Sequence, residues 1–103
     1  MTILAVYTTV GSLEAARAMA KSLVERRLAA CAQIMPIESV YRWQGAVRDD
    51  PEYRIVFKIG AARYADVQSA IRALHDYELP AIHAVPLEHV YEPYAQWVEA
   101  ESS

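Results

Sequence analysis

His75, Asp76, Tyr77 and Glu78 stand in succession, putting an imidazole, two carboxylates and a phenol on one short stretch. Side chains of these types bind cations or polar ligands. Imidazole suits copper, zinc and nickel, and a carboxylate neutralises the metal's charge, but a working site needs three or four converging ligands. His75, Asp76 and Glu78 are therefore the candidate metal ligands, and a divalent metal such as Cu(II) is the one cofactor these residues suggest. The competing role for His75 is structural, since it follows a segment of helical periodicity and an imidazole is favoured beside the exposed carbonyls of a helix C-terminus.

Lys58 is a charge within a mainly apolar segment, so it must either emerge at the surface, where strand lysines discourage edge pairing, or reach a carboxylate. Glu52 opens the same segment and could meet Lys58 only across a subunit boundary or through a bent hairpin. The spacing of His83 and His89 gives no chelating pair on a regular strand or helix, and His83 is read as an ordinary half-buried histidine. Cys31 could serve as a thiolate ligand or redox handle, although free cysteines are commonly small buried hydrophobes. Tyr41, Trp43, Tyr91, Tyr94 and Trp97 cluster toward a hairpin end and the C-terminal segment, where packing between subunits or stacking on a ligand would use them. No Gly-rich phosphate loop, Ser-His-Asp order or metal-hydrolase helix motif is present, so an enzyme is not indicated.

The 103 residues make one domain, 1–103, large enough to bury roughly two-thirds of the surface its unfolded chain exposes. Hydrophobic residues form 54% of the chain, leaving apolar surface that oligomerisation would cover. A net charge of −3, with basic and acidic residues intermixed, supplies no field for nucleic acid. The apolar run from Ile3 to Val6 is too short for a membrane span and lacks the features of a secretory signal. A single cysteine fits a reducing compartment, and the cytoplasm is the expected location.

These groups must be positioned by a small set of elements. Ile3 to Thr9 is apolar on both faces and predicts a central strand. Ser12 is a candidate N-cap for a helix that buries Leu13, Ala16, Ala20, Leu23 and Val24. Cys31 to Gln44 predicts a long strand, with Pro36 placing it at an edge or a bulge. A polar turn begins at Gly45, Asp49-Asp50-Pro51 is a turn signal, and Tyr53 to Ile59 forms the return strand, with Lys58 opposite Phe57. Tyr64, Val67, Ala70, Ile71 and Leu74 predict a second helix. Ile82 to Leu87 forms a last strand, and Pro93 suits the first turn of a short helix presenting Tyr94, Trp97 and Val98. The order β-α-β-β-α-β is that of an α+β, ferredoxin-like fold with an antiparallel sheet and two helices on one face.

Several blocks, in one order, resemble the CutA divalent-cation tolerance family in its compact prokaryotic form. They are Arg27-Leu28-Ala29-Ala30-Cys31, Tyr41-Arg42-Trp43-Gln44-Gly45, Lys58, His75-Asp76-Tyr77-Glu78-Leu79-Pro80-Ala81 and Tyr94-Ala95-Gln96-Trp97. The resemblance implies a homotrimer of PII-like architecture, its sheets packed around a three-fold axis and its long hairpin reaching to neighbours. Clefts between subunits would hold a small molecule or divalent cation through Lys58, His75, Tyr77, Glu52 and Trp43. It implies a role in tolerance of copper and other metal ions, as a non-enzymatic binding or signalling protein. The alternative is a structural trimer that anchors a partner protein and binds no metal. Metal ligands proposed for the family fall here on Tyr7, Leu74 and Ala81, so a copper site of that construction cannot form. Asp76 replaces the first proline of the family's loop motif.

Overall fold

The computed structural model describes residues 1–103. Ile3–Val10 forms β1, which lies between two other strands, the central place that a segment without a polar face requires. Ser12 then caps helix α1, Leu13–Glu25, its hydroxyl accepting the Ala15 N–H at 3.1 Å. The helix ends in a Schellman turn: Leu28 N–H reaches the Leu23 carbonyl, Arg27 N–H reaches that of Val24, and Arg27 takes a φ of 59°. Leu28, Ala29 and Ala30 are consequently turned inward and buried. The Arg27 side chain crosses to the C-terminal helix and donates to the carbonyls of Ala100 and Ser103.

Cys31–Trp43 forms β2 and Ala46–Gly60 forms β3, followed by a 3-10 turn at Ala61–Arg63, helix α2 at Tyr64–Leu74, strand β4 at Ile82–Pro86 and helix α3 at Glu92–Glu101. The sheet runs β2-β3-β1-β4 with every pair antiparallel, the split arrangement expected of the βαββαβ order. Pro36 lies in an edge strand, as its missing donor demands. On one face Val6, Val10, Ile55, Phe57 and Ile59 pack against Ala16, Met19, Ala20 and Leu23 of α1 and Val67, Ala70 and Ile71 of α2. Val24 and Leu74, expected in that core, lie at helix ends and are 37% and 46% exposed.

Two expectations are corrected. The hairpin does not turn at Asp49-Asp50-Pro51, and the return strand begins at Ala46 instead of Tyr53. Gln44 and Gly45 both take positive φ, 50° and 81°, the two-residue turn whose twist matches that of paired strands. Pro51 is accepted inside β3 because β1 pairs only with Tyr53 to Gly60, leaving the β1-facing edge at Pro51 without a ladder to complete. The second sheet face mixes polar and apolar side chains. Register places Tyr7, Gln33, Arg54, Lys58 and His83 there beside Ala5, Met35 and Val56, and α3 covers one end, joining Ala95 and Val98 to Ile3 and Ala30.

Beyond β1 the β2–β3 hairpin continues alone from the Ile37–Glu52 pair to the Trp43–Ala46 pair, an arm roughly 20 Å long at strand rise. It gives the molecule its 45 Å long axis. Gly45 has open space where a Cβ would stand, so only its backbone conformation resists substitution. Gly45→Ala is expected to destabilise the arm by about 1 kcal/mol, the strain of a left-handed alanine. Equilibrium urea unfolding at fixed protein concentration checks this, and an unchanged midpoint would show that the turn does not hold the hairpin.

Candidate functional site

The loop after α2 folds back over the C-terminal end of β1, and His75 is its anchor. The His75 side chain is fully buried. Its Nε2 lies 2.8 Å from the Thr9 carbonyl oxygen, and its Nδ1 accepts the Tyr77 N–H at 3.2 Å. An imidazole that accepts at Nδ1 and faces a carbonyl at Nε2 is the neutral Nε2–H tautomer, with both nitrogens in use. His75 thus fixes the backbone of Tyr77, and their rings pack at 4.7 Å.

Tyr77 in turn donates to Glu52 Oε2 at 2.7 Å, joining the loop to the root of the arm. Glu52 is only 9% exposed. Burial first, and then the hydrogen bond to this carboxylate, hold the Tyr77 hydroxyl far above the usual phenol range. Gly11 makes the close approach possible: a Cβ there would lie 3.3 Å from Tyr77 Oη. A second tyrosine–carboxylate pair stands beside the first, Tyr41 donating to Asp50 at 2.7 Å and raising the Tyr41 pKa. Asp50 also pairs with Arg48 at 3.8 Å.

Glu52 and Tyr77 line a cleft of about 740 Å³ between the arm and the loop. Tyr41, Trp43 and Leu79 supply apolar lining, while the exposed Glu38, Arg42, Arg48 and Glu78 add charged groups to it. Its size suits a small organic ligand.

The structure therefore brings together Glu52, Tyr77 and Trp43 along one cleft, with His75 behind Tyr77. Lys58 lies six residues along β3 from Glu52, roughly 20 Å at strand rise, and donates to Gln33 Oε1 at 3.1 Å. Glu52 instead meets Tyr77. His75, Asp76 and Glu78 do not converge: the imidazole points inward, the Asp76 side chain is 84% exposed, and no three His, Cys, Asp or Glu side chains gather within the chain. Consecutive residues of an extended loop point in different directions, which sequence adjacency conceals. His83 is exposed, tilted against the Tyr7 ring at 5.3 Å, while His89 approaches only Glu88. Cys31 Sγ is 3.5 Å from Tyr94 Oη, whose pKa is pushed up to about 12 by burial and by this contact. Sequence reasoning missed Asp50 and the Thr9 carbonyl as parts of the site, and read Tyr41 only as an aromatic for subunit packing or ligand stacking. Gly11, directly after β1, was the local signal for a close approach.

The family pattern described as CutA1 divalent ion tolerance protein matches residues 4–101. The chain is 42% identical over 94 residues to the divalent-cation tolerance protein CutA of Thermus thermophilus, covering 90% of this chain and 91% of that one. In structure it is similar to the periplasmic divalent cation tolerance protein CutA of Archaeoglobus fulgidus, with a TM-score of 0.95 at 33% identity over 98% of this chain and 99% of that chain. CutA1 of Oryza sativa gives a TM-score of 0.96 at 32% identity, covering 100% and 95% of the respective chains.

The Tyr77 pair has a signed pH consequence. Unfolded tyrosines ionise near pH 10, whereas Tyr77 keeps its proton in the fold, so its contribution is complete below about pH 10 and declines as pH rises above it. Tyr77→Phe is expected to cost roughly 1–2 kcal/mol at pH 7, because Glu52 loses its donor, and to make the alkaline decline shallower. Urea midpoints from pH 7 to 11 read both effects. Parallel curves for the two proteins would rule out this account of Tyr77.

Proposed function

The chain belongs to the CutA1 divalent ion tolerance family, and from that premise we propose that it is a non-enzymatic binding or signalling protein acting in the response to divalent cations, copper among them. It works as a homotrimer, with the cleft at Glu52 and Tyr77 completed by a neighbouring subunit and holding a small molecule or cation. The observation that carries this reading is the placement of the cleft against an unsupported arm. A two-stranded ribbon is at best marginal alone in water, and Val40 and Val47 on this one are 70% and 64% exposed. By register the valines project from the ribbon face opposite Tyr41, Trp43 and Glu52, so neighbours packed on the two faces of the arm would bury the valines on one and wall the cleft on the other.

The sheet face carrying Ala5, Met35 and Val56 among polar residues offers the remaining contact surface, which would meet its equivalents around a three-fold axis. Lys58 lies on this face, so it would enter a ligand cleft only if contributed to it by a neighbour. A cytoplasmic setting belongs to the same proposal, because Cys31 has no disulfide partner within the chain.

The alternative, a structural trimer that anchors a partner protein without metal, draws support from α3. There Tyr94 and Trp97 stack at 5.8 Å, Trp97 remains 45% exposed and the nearby Tyr91 77% exposed. Aromatic groups of this kind are frequent anchors at protein interfaces.

Native mass spectrometry of untagged protein purified without chelator, followed by Cu(II) and Zn(II) titration, tests both readings. A trimer carrying stoichiometric metal or a small-molecule adduct is expected. A bare trimer that takes up neither metal favours anchoring, and a monomer overturns the proposed assembly. Because both His75 nitrogens are engaged, His75→Ala is expected to loosen the Tyr77 loop, lowering the thermal midpoint, without dissociating the trimer. Loss of metal in that variant with an unchanged thermal midpoint would instead make His75 a direct ligand.

A further inference from the structure

We propose that the inner end of the cleft binds a small organic ammonium ion, with Glu52 Oε1 and Tyr77 Oη as its hydrogen-bond acceptors. This names the ligand class for the cleft and rests on the reading of that cleft as a binding site. The argument begins with Glu52. Its side chain belongs to a residue 9% exposed, Oε2 accepts a hydrogen bond from the Tyr77 hydroxyl at 2.7 Å, and Oε1 accepts no hydrogen bond within the chain. Tyr77, with its O–H directed at Glu52, presents only lone pairs to anything else. The two side chains at the inner end of the cleft are therefore both acceptors.

Such an arrangement selects by chemistry. A carboxylate in a nearly buried residue, with one oxygen unpaired and open to the cleft, is stabilised by a charged donor, and an ammonium group supplies a positive charge with more than one N–H. An anion is disfavoured there, since a phosphate or carboxylate would face Glu52, while Arg48, the cation on the same ribbon face, is paired with Asp50 at 3.8 Å and Arg42 projects from the opposite face by register. One carboxylate and one neutral phenol are also too few ligands to bind a divalent metal closely. The adjoining wall fits an apolar body on the cation. Tyr41, held by its own bond to Asp50, and Leu79 line the same cleft. The volume of about 740 Å³ accommodates an arylalkyl or alkyl ammonium.

The test is isothermal titration of the assembled protein, in phosphate rather than an amine buffer, with phenethylammonium, its neutral analogue 2-phenylethanol, phenylacetate and Zn(II). Saturable binding of phenethylammonium alone among the three organic probes is expected. Glu52→Gln keeps an acceptor for Tyr77 but removes the charge, and should weaken that binding roughly tenfold to a hundredfold. Tyr77→Phe should weaken it less, and near-native circular dichroism of both variants establishes that they are folded. Equal binding of the alcohol, or an unchanged affinity in Glu52→Gln, overturns the ammonium assignment. Uptake of phenylacetate or Zn(II) but not the ammonium overturns the ligand class while leaving the cleft a binding site. Silence of every probe, the result expected if a lysine of a second copy already occupies Glu52, overturns the assignment and the free-ligand reading together.

Discussion

Strand β3 is paired on one side with β2 from Ala46 to Lys58 and on the other with β1 only from Tyr53 to Gly60. That unequal pairing is the constraint on which the molecule is built. Where β3 has two neighbours, Ile55 and Phe57 are held under both helices and are fully buried. Where it has one, the chain becomes an exposed arm. Glu52 is the first residue beyond the doubly paired stretch, so it stands at the boundary between core and arm, sheltered by the loop after α2 yet open to the cleft.

The cleft depends on a short chain of hydrogen bonds across that boundary. The Thr9 carbonyl fixes His75, His75 fixes the Tyr77 backbone, and the Tyr77 hydroxyl fixes Glu52. Each step joins groups largely removed from water, where an unmade bond is costly, so the loop, β1 and β3 are locked in one relative position. The imidazole thereby shapes the cleft by placing Tyr77. Family membership establishes a link to divalent cation tolerance at the level of the whole protein, and this geometry shows why the link need not require a metal bound to His75.

Much of the architecture was legible because it follows from local rules. The apolar, β-branched run of β1, the Ser12 cap, the helical spacing of Val67, Ala70 and Ile71, and Pro93 at the start of α3 each have one comfortable conformation, and each adopts it. The Arg27-to-Cys31 block had meaning as a family motif before it had a physical one. Its structural sense is a Schellman turn that buries three small or apolar residues and sends Arg27 to cap α3. Local rules failed where tertiary pairing outweighed them. Asp49-Asp50-Pro51 is good turn chemistry, but Gln44 and Gly45 had already turned the chain, and the edge of β3 at Pro51 faced no strand that needed a donor.

By itself, then, the sequence determined the elements, their order, the ferredoxin-like sheet and membership of the family, because periodicity, caps and prolines act over a few residues and the motif blocks survive as strings. It also marked Glu52, His75 and Tyr77 as residues of interest. Only the tertiary structure decided what they do. The direction of a side chain in a loop, the tautomer of a buried imidazole and the pairing of residues 25 apart depend on which surfaces the fold brings together. Four consecutive polar residues suggested one cluster. Folding sends His75 inward, Tyr77 across to Glu52, and Asp76 and Glu78 toward water, since only groups that find partners can remain buried.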